Sequence, residues 1–191
     1  MHVDTRTQLL AEAEAVVRGQ GYVGFSYADL TERVGIRKAS IHHHFPAKED
    51  LGVALVEAYT ERFIQALTDI AAGTGAAPDR LGAYAGLYRS GLQAGQGCLC
   101  GVLASELNVL PDRIRAGVRR FFDLNADWLE GVIAAGQSDG CFRSDVDARS
   151  QAMAVLATLE GAMLVSRAIG SVEAFDAAAA ASLTGLRTTP R

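Results

Sequence analysis

Three groups of reactive side chains stand out in the chain. The first is cationic: Arg33, Arg37, Lys38 and Lys48 fall between residues 33 and 48, with no acid among them. Such groups bind phosphate, and phosphate contacts supply much of the affinity for duplex DNA. The second is His42-His43-His44, which adds hydrogen-bond donors to the same stretch. The triplet is not read as a metal site, because consecutive helical side chains diverge by about 100° and cannot converge on one ion. Helical zinc ligands stand at i, i+3 or i, i+4. The third is Cys98-Leu99-Cys100, which follows Gly95-Gln96-Gly97 at the expected start of a helix. A helix N-terminus raises thiolate reactivity, and a C-x-C pair can bind a soft metal such as Cu(I), react with an electrophile or oxidise. Against that stands the ordinary use of cysteine as a small buried hydrophobe, which weighs more. Cys141 falls in a turn and is taken as neutral. The chain contains no P-loop, G-x-S-x-G, H-E-x-x-H or C-x-x-C, so neither enzymatic activity nor a cofactor is expected.

The elements that must position these groups run from Phe25 to Leu51, FSYADLTERVGIRKASIHHHFPAKEDL. Ser26 and Asp29 form an S-x-x-D capping box that opens a first short helix. Ala28, Leu30 and Val34 are placed on its inner face. Gly35 ends it, where positive φ suits glycine, and Ile36 fills the angle. A second helix spans roughly Lys38 to His44, and Phe45-Pro46 ends it. This layout predicts a helix-turn-helix whose second helix enters the DNA major groove. The candidate DNA contacts are Ser26, Tyr27, Arg37, Lys38, Ser40, His42, His43 and Lys48.

The stretch resembles the DNA-binding domain of the TetR family of transcriptional regulators. The resemblance rests on Phe25-Ser26-Tyr27-Ala28-Asp29-Leu30, Val34-Gly35-Ile36, His44-Phe45, Lys48 and Leu51. Two positions depart from the family pattern. Arg37 stands where Ser or Thr often caps the recognition helix, a cap worth roughly 1 kcal/mol. His42 stands where a phosphate-binding Tyr is usual. The resemblance implies a homodimeric repressor that a small-molecule effector releases from a palindromic operator. It also implies an effector pocket inside the body helices, for which Phe63, Tyr84, Tyr88, Phe121, Trp128 and Met153 are candidates, with Glu106 and Glu160 as polar anchors. Gly97-Cys98-Leu99-Cys100-Gly101 through Glu106 further resembles the G-C-L-x-G pattern of one subgroup. A thiol-based redox, electrophile or soft-metal sensor using Cys98 and Cys100 is therefore an alternative reading. An effector-free architectural DNA-binding protein is a third.

The rest of the chain predicts an all-α fold. Its 191 residues are 49% apolar, which argues against disorder. The net charge of −4 requires the cations of the head to be concentrated. Residues 1–47 are assigned to a helix-turn-helix domain and 48–191 to an effector-binding and dimerisation domain. Helices are expected over residues 5–20, 48–71, 79–94, 102–110, 111–135, 147–169 and 172–186, besides the two of the head. The last two are apolar on more than one side. Ala152, Val155, Leu156, Leu159, Met163 and Leu164 are paired with Phe175, Ala178, Ala179, Leu183 and Leu186, and two such pairs would make a four-helix dimer bundle. No signal peptide is read at the N-terminus, and Glu160 and Arg167 interrupt the most apolar helix, so a cytoplasmic protein without membrane association is expected.

Overall fold

Helical periodicity is realised along most of the described residues. The computed structural model describes residues 4–73 and 75–188. Among these residues there are nine α-helices: α1 (Thr5–Gly24), α2 (Tyr27–Val34), α3 (Lys38–His44), α4 (Lys48–Ala72), α5 (Ala77–Gln93), α6 (Leu99–Ser105), α7 (Asp112–Ser138), α8 (Ala148–Ile169) and α9 (Val172–Thr184). One 3-10 turn spans Leu107–Val109. The described residues form no strand, only an isolated antiparallel bridge between Phe142 and Arg187. The predicted helix over 102–110 is thus two pieces, a seven-residue helix that begins earlier and a separate 3-10 turn.

Packing divides the chain into two units. The first comprises residues 1–62 and 99–121, the second 63–98 and 122–191. Both α4 and α7 contribute residues to each.

In the first unit α1 buries Leu9, Ala13, Val16 and Val17 of the face its spacing predicts, while Leu10, also expected there, is half-buried. It breaks at Gly21, whose φ of 84° lies in the region that only glycine adopts without strain. The first turn of α2 is held by the Asp29 carboxylate, which accepts from the Ser26 N–H at 2.7 Å and from the Ser26 hydroxyl at 2.8 Å. The inner face of α2 differs from expectation: Tyr27 and Leu30 are buried, while Ala28 is exposed. Gly35 adopts φ 72° and turns the chain into α3. That helix buries only Ile41, so most of its side chains are left to solvent.

In the second unit α8 buries Ala152, Val155, Leu156, Leu159, Ala162 and Met163 along one face. Asp147 caps it, accepting from the Ser150 N–H at 2.9 Å, and Ser171 caps α9 through the Ala174 N–H at 3.3 Å. Phe175 and Ala179 of α9 are buried. Arg89 of α5 grips Asp176 of α9 through two nitrogens, at 2.8 and 3.1 Å. Leu164, expected among the residues paired with α9, is not part of this buried face. It is 68% exposed, because a 100° step per residue carries it off the buried stripe.

Candidate nucleic-acid interface and body site

Two long-range contacts fix α3 in place. Ile41 is fully buried, and the Tyr27 hydroxyl donates to the Phe45 carbonyl at 2.8 Å just beyond the helix end. With that side anchored, Lys38, Ser40, His42 and His43 are exposed together with Arg37 at the N-cap. Arg37 makes no side-chain cap bond; its carbonyl accepts from the Ser40 N–H at 2.9 Å. The histidines diverge. His42 turns Nδ1 to the Pro46 carbonyl at 3.1 Å and packs edge-on against Tyr27. His43 and His44 meet each other edge-on, with ring centroids 5.3 Å apart. The surface so formed is cationic, rich in donors and carried on a short rigid helix, as a major-groove reader requires.

The structure corrects one predicted contact and recasts another. Tyr27 is not placed to touch DNA: it is buried, and its hydroxyl is spent on Phe45. Burial raises its pKa to about 12, which keeps it a neutral donor. Lys48 is half-buried, its ammonium 4.5 Å from the Tyr22 ring centroid and 5.4 Å from that of Phe25. Desolvation there lowers its pKa. Arg6, which spacing did not single out, lies 5.4 Å from the Phe45 ring centroid and is exposed. Only the fold brings α1 to the end of α3, so no local signal marked Arg6.

The second unit holds a buried chain of polar groups. The Tyr84 hydroxyl donates to Asn125 Oδ1 at 2.9 Å and lies 3.3 Å from the Tyr88 hydroxyl. Tyr88 in turn donates to Glu160 Oε1 at 3.1 Å. Trp128 stacks on Tyr84 at 5.4 Å, and Phe63 meets both tyrosines edge-on. The Cys98 side chain also hydrogen-bonds Glu160, and the Cys98 N–H donates to Met163 Sδ at 3.1 Å. Burial pushes the Glu160 carboxyl up, against the pull of its Cys98 and Tyr88 hydrogen bonds. Burial likewise pushes both tyrosines up. The cluster is aromatic, closely packed and threaded by a few converging polar groups.

Phe63, Tyr84, Tyr88 and Trp128 are brought together in one cluster. Met153 is not with them: it is 47% exposed on α8, turned away from the buried stripe. Phe121 belongs to the first unit, fully buried against Tyr59. α6 has only seven residues, and Cys98, just before it, faces the Glu160 carboxyl. Cys98 and Cys100 are both buried. Asn125 was missed, since a lone Asn on an amphipathic helix carries no local mark. Glu160, an acid inside a long apolar helix, did.

The head defines a helix-turn-helix DNA-binding protein. Residues 9–55 match the model for bacterial regulatory proteins of the tetR family, and residues 77–182 match that for the tetracyclin repressor-like C-terminal domain. The HTH-type transcriptional repressor NemR of Escherichia coli K12 is 30% identical over 188 residues, covering 93% of this chain and 91% of NemR. A TetR-family regulator from Agrobacterium tumefaciens has a crystal structure that superposes with a TM-score of 0.93 at 34% identity, covering 96% of this chain and 97% of that one. The reduced form of E. coli NemR superposes with a TM-score of 0.84, covering 98% of this chain and 99% of that one. The chain belongs to the TetR family of bacterial transcriptional regulators.

Proposed function

We propose that this chain is a homodimeric repressor that leaves a palindromic operator when a small molecule binds its body. Residues 1–47 read the DNA and residues 48–191 dimerise and hold the effector. The observation that carries the reading is the exposed face of α3, where Lys38, Ser40, His42 and His43 stand with Arg37 and no acid. The contacts assigned to DNA are these five with Ser26 at the start of α2, and Lys48 in a supporting place. α8 supports dimerisation. Its uncovered side exposes Met153, Leu164, Val165 and Ile169 around the small residues Ala154, Ala157, Gly161 and Ala168. A Cβ added at Gly161 would meet nothing within 4 Å, which leaves room for a second helix. Two copies joined through α8 and α9 would present two recognition helices to successive major grooves, about 34 Å apart. The effector is assigned to the Tyr84–Tyr88–Glu160 cluster with Phe63, Trp128 and Asn125. The protein works on cytoplasmic DNA without a membrane, a cofactor or an enzymatic step.

The test is fluorescence anisotropy on the DNA just upstream of the protein's own gene, repeated with candidate small molecules. Tight, salt-dependent, sequence-selective binding that one of them abolishes is expected. Selective binding that none relieves would favour an architectural protein. A second reading rests on the Cys98–Glu160 hydrogen bond: in it the thiol, with a proton acceptor beside it, is the group that responds. Thiol oxidation that releases DNA from wild type but not from Cys98→Ser would favour it.

A further inference from the structure

The side chain of Glu106 reaches back to the DNA-binding head. We propose that Glu106 is a positioning residue that clasps the end of α1, past its break at Gly21, and so couples α6 to the recognition helix. Its residue follows α6 directly, and its Oε2 accepts from the Tyr22 N–H at 2.7 Å. Tyr22 lies just past the break at Gly21, where the regular helical acceptor pattern fails and a peptide N–H needs another partner. The slot is shaped for this carboxylate: a Cβ at Gly21 would fall 2.3 Å from Glu106 Oε1. On the Tyr22 ring lies the Lys48 ammonium, 4.5 Å from the centroid, at the start of α4. The Glu106 charge acts on that ammonium as well. One carboxylate thereby ties α6, the end of α1 and the root of α4, all within the first unit. Beside it, Arg113 of α7 pairs with Asp50 of α4 at 3.0 Å, and Ile114 fills the space that Gly52 leaves. Those contacts hold α4 to α7; Glu106 reaches the head itself. Glu106 is accordingly not the effector anchor that its sequence position suggested.

The inference rests on the proposed operator binding, and coupling between sites is reciprocal. Operator binding must then stabilise α6 through Glu106. The experiment compares full-length wild type, Glu106→Ala and Glu106→Gln on a duplex selected by the wild type from a random library. The readouts are affinity for that duplex and for a scrambled one, and amide hydrogen exchange with and without DNA. In Glu106→Ala, affinity for the selected duplex should fall at least about tenfold, and low-salt binding to the scrambled duplex should stay within about threefold. Exchange at the Tyr22 amide should quicken by about tenfold or more. Slower exchange in α6 on adding the duplex should appear in wild type and vanish in the variant. Selected-duplex affinity within about threefold of wild type, or α6 protection that persists in the folded variant, overturns the proposal. Should Glu106→Ala fail to fold, Glu106→Gln keeps the size and an acceptor while losing the charge, and the same comparisons apply, with effects between those of wild type and Ala. A wild type that selects no duplex defeats the operator reading alone. The Tyr22 amide then still decides the clasp, and equal exchange in wild type and variant overturns it.

Discussion

Lys38→Ala tests whether Lys38 is the phosphate contact proposed for it, against Lys48, which is proposed only to support the head. Lys38 is exposed at the first position of α3, whereas the Lys48 ammonium lies on two aromatic rings and is half-buried. Each phosphate neutralised contributes about 0.9 to the slope of log affinity against log salt. Two heads lose one lysine each, so the slope should fall by about 1.8. Between about 50 and about 200 mM salt, a slope difference of that size makes wild type lose about 12-fold more affinity than the variant. At about 150 mM the variant should bind roughly 30-fold more weakly, on operator and scrambled duplex alike, because phosphate carries no sequence information. Lys48→Ala should behave otherwise. It removes cation–π contacts worth about 0.5–1 kcal/mol each and leaves the slope nearly unchanged. The assay is anisotropy across a salt series with both duplexes. An unchanged slope in Lys38→Ala, or an equal drop in Lys48→Ala, would refute the assignment.

Tyr27→Phe should strand the Phe45 carbonyl, cost about 1–3 kcal/mol in denaturant unfolding, and leave the salt slope alone; a lower slope would restore Tyr27 as a DNA contact. Gly161→Glu should place a charge on the uncovered face of α8 and split the dimer. Light scattering should then give the 20.2 kDa of one chain instead of twice that mass, and an unchanged dimer would put the interface elsewhere. On acidification, the Ser26 hydrogen bonds hold the Asp29 carboxyl low and the Ser150 bonds hold that of Asp147 low. The stability they give is present above the unfolded value of about 3.9 and lost as pH falls through the folded ones. The melting temperature should therefore drop below about pH 4, less steeply in Asp147→Ala. Glu160 works in the opposite sense, since burial raises its folded pKa. The fold loses stability as pH rises from the unfolded value of about 4.3 through the raised one. Glu160→Gln should thus melt higher than wild type at pH 7, with the difference closing towards pH 4; a constant offset would count against a buried charge.

What was legible in the sequence is what neighbours along the chain decide. The Ser26–Asp29 box closes over three residues, Gly35 supplies its positive φ alone, and the Asp147 cap binds Ser150 within one turn. Such features need no knowledge of the rest of the molecule, so the head and the helix boundaries of α8 and α9 could be read directly. Amphipathic spacing likewise placed Leu9, Leu10, Ala13, Val16 and Val17 on one face, of which all but Leu10 are buried.

What only the tertiary structure decided is where each side chain ends up once helices from distant parts of the chain meet. Tyr27 looked like a surface aromatic until α3 brought the Phe45 carbonyl to it. Met153 was expected in the pocket and Leu164 on the face paired with α9, because composition shows that α8 is apolar but not which azimuth faces its neighbours. Glu160 acquired its hydrogen bonds from Tyr88 and Cys98, which lie 72 and 62 positions away (160 − 88 and 160 − 98). Glu106 found Tyr22 across 84 positions. Local hydrogen bonds and backbone geometry act within a turn and are written in adjacent residues. Burial and long-range hydrogen bonding depend on helix rotation and packing, which no single stretch of sequence contains.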